Sequence, residues 1–372
     1  MPYFDFEDHE TRARVQKNPI GFIREHIHGA IFDEFHYIPE ITEGLKVVAD
    51  ELNTQADKIE NTPVPTRFVL TSSHNYLQIK GGITETMVGR ASMIELLSMS
   101  ASELNIDDPY TLIYKGGYPA IYTKGEEPQS YFRNYLKLYL EREVRMVHNI
   151  SDFSKFLLFM KMCANRVGNL INYEIMSSHL GLTKKVIDHW LEVLRVSYII
   201  FTAPKYHNNF ELTLTHQPKL YFYDTGLASF LLDHFTQEDI VTSSMRGALF
   251  ENLVFSDVNK TIMAANKSLS TYFWQVGHQK QKRKNDVVFE EEKEGYEIDM
   301  IISQGSKVKA IEIKMSGTFD PHWLGRLHRF DKEKSKSIIE CKKYIIYTGP
   351  TMDIPGGKAL NFKDIGLLLE AD

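Results

Sequence analysis

The chain has little cysteine, no long apolar run and no phosphate-cradling loop, and each absence excludes something. Of 372 residues only Cys163 and Cys341 are cysteines, so no disulfide framework is available and a reducing cytoplasm is the expected setting. Zinc needs about four ligands in compact spacing; fourteen scattered histidines and two distant cysteines do not supply them. No apolar run approaches the roughly 20 residues of a membrane span, and the N-terminus lacks a signal-peptide core, so no membrane partner is expected. Positive charge is also short. Lys and Arg number 43 against 49 Asp and Glu, a formal charge of −6, which argues against non-specific nucleic-acid binding by bulk charge but leaves room for a local basic face. The pattern GxxxxGK[ST], the glycine-rich phosphate cradle of many ATPases, does not occur. The one Gly-Lys step, Gly357-Lys358, is followed by Ala359.

What is present is ordinary for a globular protein: 43% apolar and 25% charged residues, with length for two or three domains. The N-terminal third alternates strand and helix patterns, which predicts a parallel sheet with helices on its faces. Ile31-Phe32 is an apolar strand ending in Asp33 and Glu34, the pattern of a magnesium-holding and water-polarising strand end in ATPases. The next strand, Arg67 to Leu70, ends in Thr71-Ser72-Ser73, a strand end where a polar group could sense a phosphate on the neighbouring strand. Gly89-Arg90 and an apolar strand from Met93 to Leu97 follow. Each residue has a plainer reading: Asp33-Glu34 as a helix N-cap, Arg90 as a surface salt bridge. Only about thirty residues precede Asp33, none forming a phosphate cradle, so the pattern is half an ATP site.

The middle of the chain reads as helical. Ser130 to Val147 fits a long helix and Phe153 to Ala164 a buried one. Asn172 to Leu180, the turn Gly181-Leu182 and Thr183 to Leu194 form a helix-turn-helix pattern, with Val186, Ile187, Trp190, Leu191 and Leu194 toward the core. Lys184, Lys185 and His189 face outward as candidate DNA contacts; three such residues are few for phosphate neutralisation, and packing or subunit contact is the plainer use. Tyr198 to Phe201, Glu211 to Leu214 and Leu220 to Tyr223 read as strands of a wing.

The C-terminal third carries a constellation of charge. Glu251 lies on the apolar face of a helix spanning Met245 to Val258, where a carboxylate needs a partner. Ile298, Met300 and Ile302 alternate on a strand with Asp299 opposite. After a turn at Gly305-Ser306, Glu312 and Lys314 share one face of the next strand, with Ile311 and Ile313 on the other. Two carboxylates and a lysine so arranged can hold a hard cation and stabilise a phosphate oxyanion. The plainer reading is a salt-bridged strand pair. Lys280, Lys282, Arg283 and Lys284 precede Glu290, Glu291 and Glu292, most simply a solvated hairpin.

In order along the chain, Ile31-Phe32-Asp33-Glu34, Arg67 to Ser73, Val88-Gly89-Arg90, Gly116-Gly117-Tyr118-Pro119, Leu140 to Val144, Gly168 to Asn172, Lys219 to Leu227, Phe250-Glu251-Asn252, Glu297-Ile298-Asp299 and Ile311-Glu312-Ile313-Lys314 resemble an AAA-type ATPase family of bacteria and archaea that carries a C-terminal domain of unknown function. The resemblance implies an α/β multidomain chain: an AAA-type parallel sheet over 1–110, truncated before its second strand; a helical lid and winged-helix-like region over 111–238; and a PD-(D/E)XK nuclease-like domain over 239–372. It implies Asp33 as a magnesium ligand, Glu34 as the water activator, Ser73 as phosphate sensor and Arg90 as a phosphate contact in cis or across a homo-oligomer. It further implies Asp299 and Glu312 as ligands of a divalent cation, Lys314 as electrostatic catalyst and Glu251 as an accessory acid. The cofactors implied are ATP with magnesium, and a divalent cation at the nuclease-like site; the partner implied is DNA. The chain departs from the family at His36, where Gln is usual, at Ser72 for Gly, and at Glu143 for Asp. The expected function is an ATPase-family protein acting on or binding nucleic acid, with weak nucleotide binding because the cradle is missing. The alternatives are a non-catalytic DNA-binding or regulatory protein, and a protein-interaction module.

Overall fold

A computed structural model of the chain describes residues 1–56, 67–72, 87, 89–140, 150, 152–207, 217–276, 296–334 and 338–369. The chain forms two compact units, Met1–Ile94 and Glu95–Asp372.

The first unit is a parallel three-stranded sheet in the order β1 (Tyr3–Asp5), β2 (Ala30–Asp33), β3 (Phe68–Leu70). Helices His9–Lys17 and Pro19–Glu25 connect β1 to β2, and Ile41–Ala56 follows β2. The first helix is capped by Asp8, which accepts from the Thr11 amide, and the second by Asn18, which accepts from Gly21, each satisfying an orphan amide. The core is aromatic: Phe6, Phe22, Phe32 and Phe35 are buried with Ile23, Ile38, Leu45 and Val48. The strand expected from Met93 to Leu97 does not form. Residues 91–97 are irregular, and Met93, Ile94 and Leu96 are exposed, Leu96 at 94%. Apolar composition made the segment look like a strand, but among the described residues no neighbouring strand pairs with it.

In the second unit, short helices from Ala101 to Asn134 lead into a π-helical stretch Tyr135–Leu140. The helix expected from Ser130 to Val147 is thus helix Pro128–Asn134 plus this wider turn, and its remainder beyond 140 lies outside the described residues. Phe153–Ala164 buries Phe156, Phe159, Met160 and Cys163. The helix-turn-helix pattern is present as Tyr173–Leu180 and Lys184–Val196. Asn172 caps the first helix, Gly181 ends it at φ +62°, and Thr183 caps the second. β4 (Ile200–Ala203) pairs antiparallel with β5 (Lys219–Phe222); the expected strand at Glu211 to Leu214 lies outside the described residues.

The remaining strands form a six-stranded mixed sheet: β6 (Ser270–Gln275), β7 (Glu297–Gln304), β8 (Lys307–Lys314), β9 (Glu340–Tyr347), β10 (Met352–Ile354) and β11 (Gly357–Asn361), in the order β10-β11-β9-β8-β7-β6. β7 and β8 form a hairpin closed by Gly305-Ser306, with Gln304 opposite Lys307; β8 then runs parallel to β9. One face packs on helix Arg246–Ala264 through Met300, Ile302, Ile311 and Ile313. The other packs on helix Leu324–Glu333 through Ile298, Ile301, Val308 and Ala310. The expectation that Ile298, Met300 and Ile302 share a face fails at its first member. Tyr272 pairs with Ile301 and Trp274 with Ile298, so β7 holds one residue more than β6 over this stretch. That bulge turns Ile298 to the face of Ile301.

Candidate functional site

The strongest cluster of charge in the second unit gathers where the β7–β8 ladder ends. The last paired residues are Met300 and Ile311. Beyond them the Asp299 carboxylate reaches across, and its Oδ2 accepts the Ile313 amide at 2.7 Å. The bulge is what frees Asp299 from plain alternation and lets it turn toward β8. Lys314 Nζ lies 2.6 Å from Glu312 Oε1 and 3.5 Å from Asp299 Oδ2. The structure therefore brings Asp299, Glu312 and Lys314 together, although the first belongs to a different strand.

Glu312 is 0% exposed. Its Oε1 also takes Arg326 Nη1, at 2.9 Å, while its Oε2 is buried with no hydrogen-bond partner. Burial and then the Asp299 charge push the Glu312 carboxyl up toward neutrality, against the pull of Lys314 and Arg326. Burial lowers the Lys314 ammonium, but Asp299 and Glu312 outweigh it and leave its proton held more tightly than usual.

Glu251 enters from helix Arg246–Ala264. Tyr221 Oη donates to its Oε1 at 2.6 Å, and Lys219 Nζ lies 3.4 Å from the same oxygen and also pairs with Glu297. Burial is the main cause that raises the Glu251 carboxyl; Lys219 opposes it, and the Asp299 charge adds to it. Gly168, at φ +71°, brings its backbone against this carboxylate: a Cβ there would stand 3.5 Å from Glu251 Oε1. Lys219, Tyr221 and Glu297 stand in stretches that carry the family resemblance but have no role there, and Arg326 stands in none of them. A lysine opening the otherwise apolar strand Lys219-Leu220-Tyr221-Phe222 was the available signal, since a buried amine demands a carboxylate partner.

Among the described residues no three His, Cys, Asp or Glu side chains group to hold a metal ion. Asp299 and Glu312 alone suit an ion of the magnesium type, which keeps several waters and takes one or two carboxylates. The unpartnered Glu312 Oε2 is the atom such an ion would satisfy.

In the first unit Asp33 ends β2 as expected, but its carboxylate is engaged by two hydroxyls, Tyr3 Oη on one oxygen and Thr71 Oγ1 on the other. The hydrogen bond to Asp33 is the main reason the Tyr3 phenol is pushed up to about 12. Glu34 sits in the left-handed region at φ 51°, makes no cap hydrogen bond from its side chain, and pairs with His36 Nδ1 at 3.0 Å. Neither acid is an N-cap of the ordinary kind. Arg90 grips Asp50 with two nitrogens, at 2.6 and 3.0 Å. Ser73 lies outside the described residues, and Thr71, which sequence reasoning passed over, is the strand-end hydroxyl on Asp33. The sequence holds no GxxxxGK[ST] loop.

Lys184, Lys185 and His189 are exposed on one helix, as expected, but Asp188 and Glu192 are exposed with them, and Lys184 Nζ lies over the Tyr173 ring at 5.2 Å. The run Lys280, Lys282, Arg283 and Lys284 lies outside the described residues, as do Glu290 to Glu292. No helix among the described residues is long and apolar enough to cross a membrane.

Comparison with known proteins divides the chain in three. Residues 1–105 match the family model described as an AAA domain. Residues 106–238 match a domain of unknown function (DUF8612), and residues 246–363 match a second (DUF4143). Uncharacterized protein Mb2031c of Mycobacterium bovis and Uncharacterized protein Rv2008c of Mycobacterium tuberculosis are each 21% identical over 289 residues, covering 77% of this chain and 58% of their own length. By these likenesses the chain is similar to an AAA domain at its N-terminal end and to two domains of unknown function over the remainder.

Proposed function

We propose that the protein acts on nucleic acid through the Asp299–Glu312–Lys314 cluster, as a divalent-cation-dependent phosphodiester hydrolase of PD-(D/E)XK type joined to an AAA-type segment. The domains in this reading are 1–110, 111–238 (with a winged-helix-like pair of helices) and 239–372. The observation that carries it is the Lys314 ammonium between two carboxylates, one of them a core glutamate with an unsatisfied oxygen. Burying such an acid costs stability unless something binds there, and ion-pairing alone would not leave Oε2 bare.

Asp299 and Glu312 would hold the ion, which when bound supplies Lewis acidity and a more acidic water. Asp299 is fixed by the Ile313 amide and so presents its other oxygen in a set direction. Lys314 keeps its proton and offers it as a hydrogen bond to the phosphate oxygens, where charge builds in the transition state. Glu251, with its carboxyl raised, can take or hold a proton near neutrality. No step passes through a nucleotide; the chain as given is expected to show no saturable ATP binding at micromolar concentration by calorimetry.

The test is plasmid cleavage with Mn²⁺ or Mg²⁺. Asp299→Asn and Lys314→Met should each reduce cutting by about 100-fold or more; unchanged cutting in both variants defeats the assignment. A second reading, a nucleic-acid-binding protein without chemistry, is favoured by one observation: Lys219, Lys314 and Arg326 already neutralise most of the cluster's charge. Cation-independent binding without cleavage would select it.

A further inference from the structure

Glu312 is bonded unevenly. Two cations share its Oε1, Lys314 at 2.6 Å and Arg326 at 2.9 Å, while Oε2 has no partner. Of the two, Lys314 is also tied to Asp299, and its side chain is 30% exposed; the Arg326 side chain is 50% exposed and leans in from a separate helix. A divalent ion on the bare Oε2 would draw negative charge from the same carboxylate and set a second positive charge beside its neighbours, loosening the less committed of them, Arg326.

The helix that carries Arg326 is rich in cations on its exposed side. Leu324, Leu327 and Phe330 bury its inner face. Outward it presents Arg326, His328 and Lys332, with Arg329 half-buried beside them, its guanidinium stacked on Tyr296 at 3.3 Å. Of the two acids on this helix, Asp331 and Glu333, Asp331 is turned aside onto Lys334 and onto Lys343 of β9, the latter at 2.9 Å. Arg326 to Lys332 spans about 9 Å along the helix, the axial reach of two or three phosphates on one DNA strand.

We propose that Arg326 is a positioning residue that exchanges partners, from Glu312 to the phosphate backbone of a nucleic-acid strand, when a divalent cation occupies Glu312, and that Lys332 extends the same phosphate track. A guanidinium suits this exchange because its planar fork fits carboxylate and phosphate alike. The consequence is thermodynamic coupling: cation and nucleic acid each tighten the other's binding, by reciprocity. The proposal rests on the reading that the cluster takes a divalent cation and nucleic acid, but not on hydrolysis.

The test uses the full chain, a short labelled DNA duplex, and calcium as the cation, so that binding is read without cleavage. Anisotropy titrations across a salt series, with calcium or with chelator, should show calcium tightening wild-type binding about fivefold or more. Arg326→Gln should lose that gain and lower the slope of log K against log salt by about one. Its calcium affinity without DNA, by calorimetry, should be equal to or tighter than wild type. Lys332→Gln should lower the slope by about one and keep the calcium gain. A wild-type protein that binds no duplex, or whose binding ignores calcium, overturns the proposal; so does an Arg326→Gln variant with wild-type slope and gain. Failure of manganese-dependent cleavage with these results intact would remove only the hydrolase assignment.

Discussion

Glu312, buried, and Glu251, half-buried, show what withdrawing a carboxylate from water does to stability. Both have folded-state carboxyls raised, each to about 7, burial being the first cause. An acid raised in this way favours folding only while protonated in the folded state. Its contribution is present below the ordinary carboxylate range and is lost as pH rises from about 4.5 toward 7. We therefore expect Glu312→Gln, melted in chelator at pH 8, to be more stable than wild type, by an amount on the order of 1–3 kcal/mol, and to show a flatter decline of melting temperature across that interval. The same variant should lose any stabilisation by added divalent cation. Lys219 is the opposite case. It is buried between Glu251 and Glu297, and Lys219→Met should destabilise by roughly 3–5 kcal/mol in urea melts, because two acids are left without their shared partner.

Among the elements, the most tightly specified junction lies outside the charged cluster. The Gly116-Gly117 turn receives Asp224, which accepts the Gly117 and Leu227 amides at 2.8 and 3.0 Å. A Cβ on Gly116 would stand 2.1 Å from Asp224 Oδ1, at φ +68°. Gly226 in turn packs against Lys115 and Gly116 backbone. Gly116→Ala should cost several kcal/mol, on the order of 3, by strain and loss of the buried acid's bonds, readable as an early unfolding midpoint. The helix Lys184–Val196 is a weaker candidate for DNA than its place after a turn implied. Its outer face mixes Lys184, Lys185 and His189 with Asp188 and Glu192. Lys184→Glu with Lys185→Glu should weaken duplex binding by less than Arg326→Gln does at the same salt, in the same anisotropy assay. Helices and caps were legible here because period and capping residues agree: Asn172, Gly181 and Thr183 mark ends that the structure keeps. The face of Ile298 was not legible, because a bulge depends on the partner strand and leaves no mark in the alternation of β7 itself. Met93 to Leu97 misled for a related reason: apolar residues announce a strand only when another strand is there to receive them. Asp299, Glu312 and Lys314 were legible as types and spacing. Arg326, which comes from a helix beyond the hairpin, was not, since nothing in its neighbourhood distinguishes it from a solvated arginine.

For the whole molecule, the cores follow the two units. Every buried residue of the two clusters around the mixed sheet and the middle helices comes from Ala101 onward, whereas the first unit has its own aromatic cluster. A polypeptide of Glu95–Asp372 should therefore fold alone, with a cooperative melt by circular dichroism and the same calcium response as the full chain; a non-cooperative melt would show that the first unit is needed. Within this second unit the boundaries drawn by family likeness do not coincide with the chemistry. Lys219 and Tyr221, which bond Glu251, and Gly168, whose backbone passes close to it, come from the segment matched over 106–238, while Glu251 and Glu297 come from the segment matched over 246–363. The charged cluster is consequently not a portable cassette. Grafted onto another protein from residue 246 onward, it would arrive with its acids unbalanced and Glu251 without Tyr221 and Lys219, so the two stretches belong together.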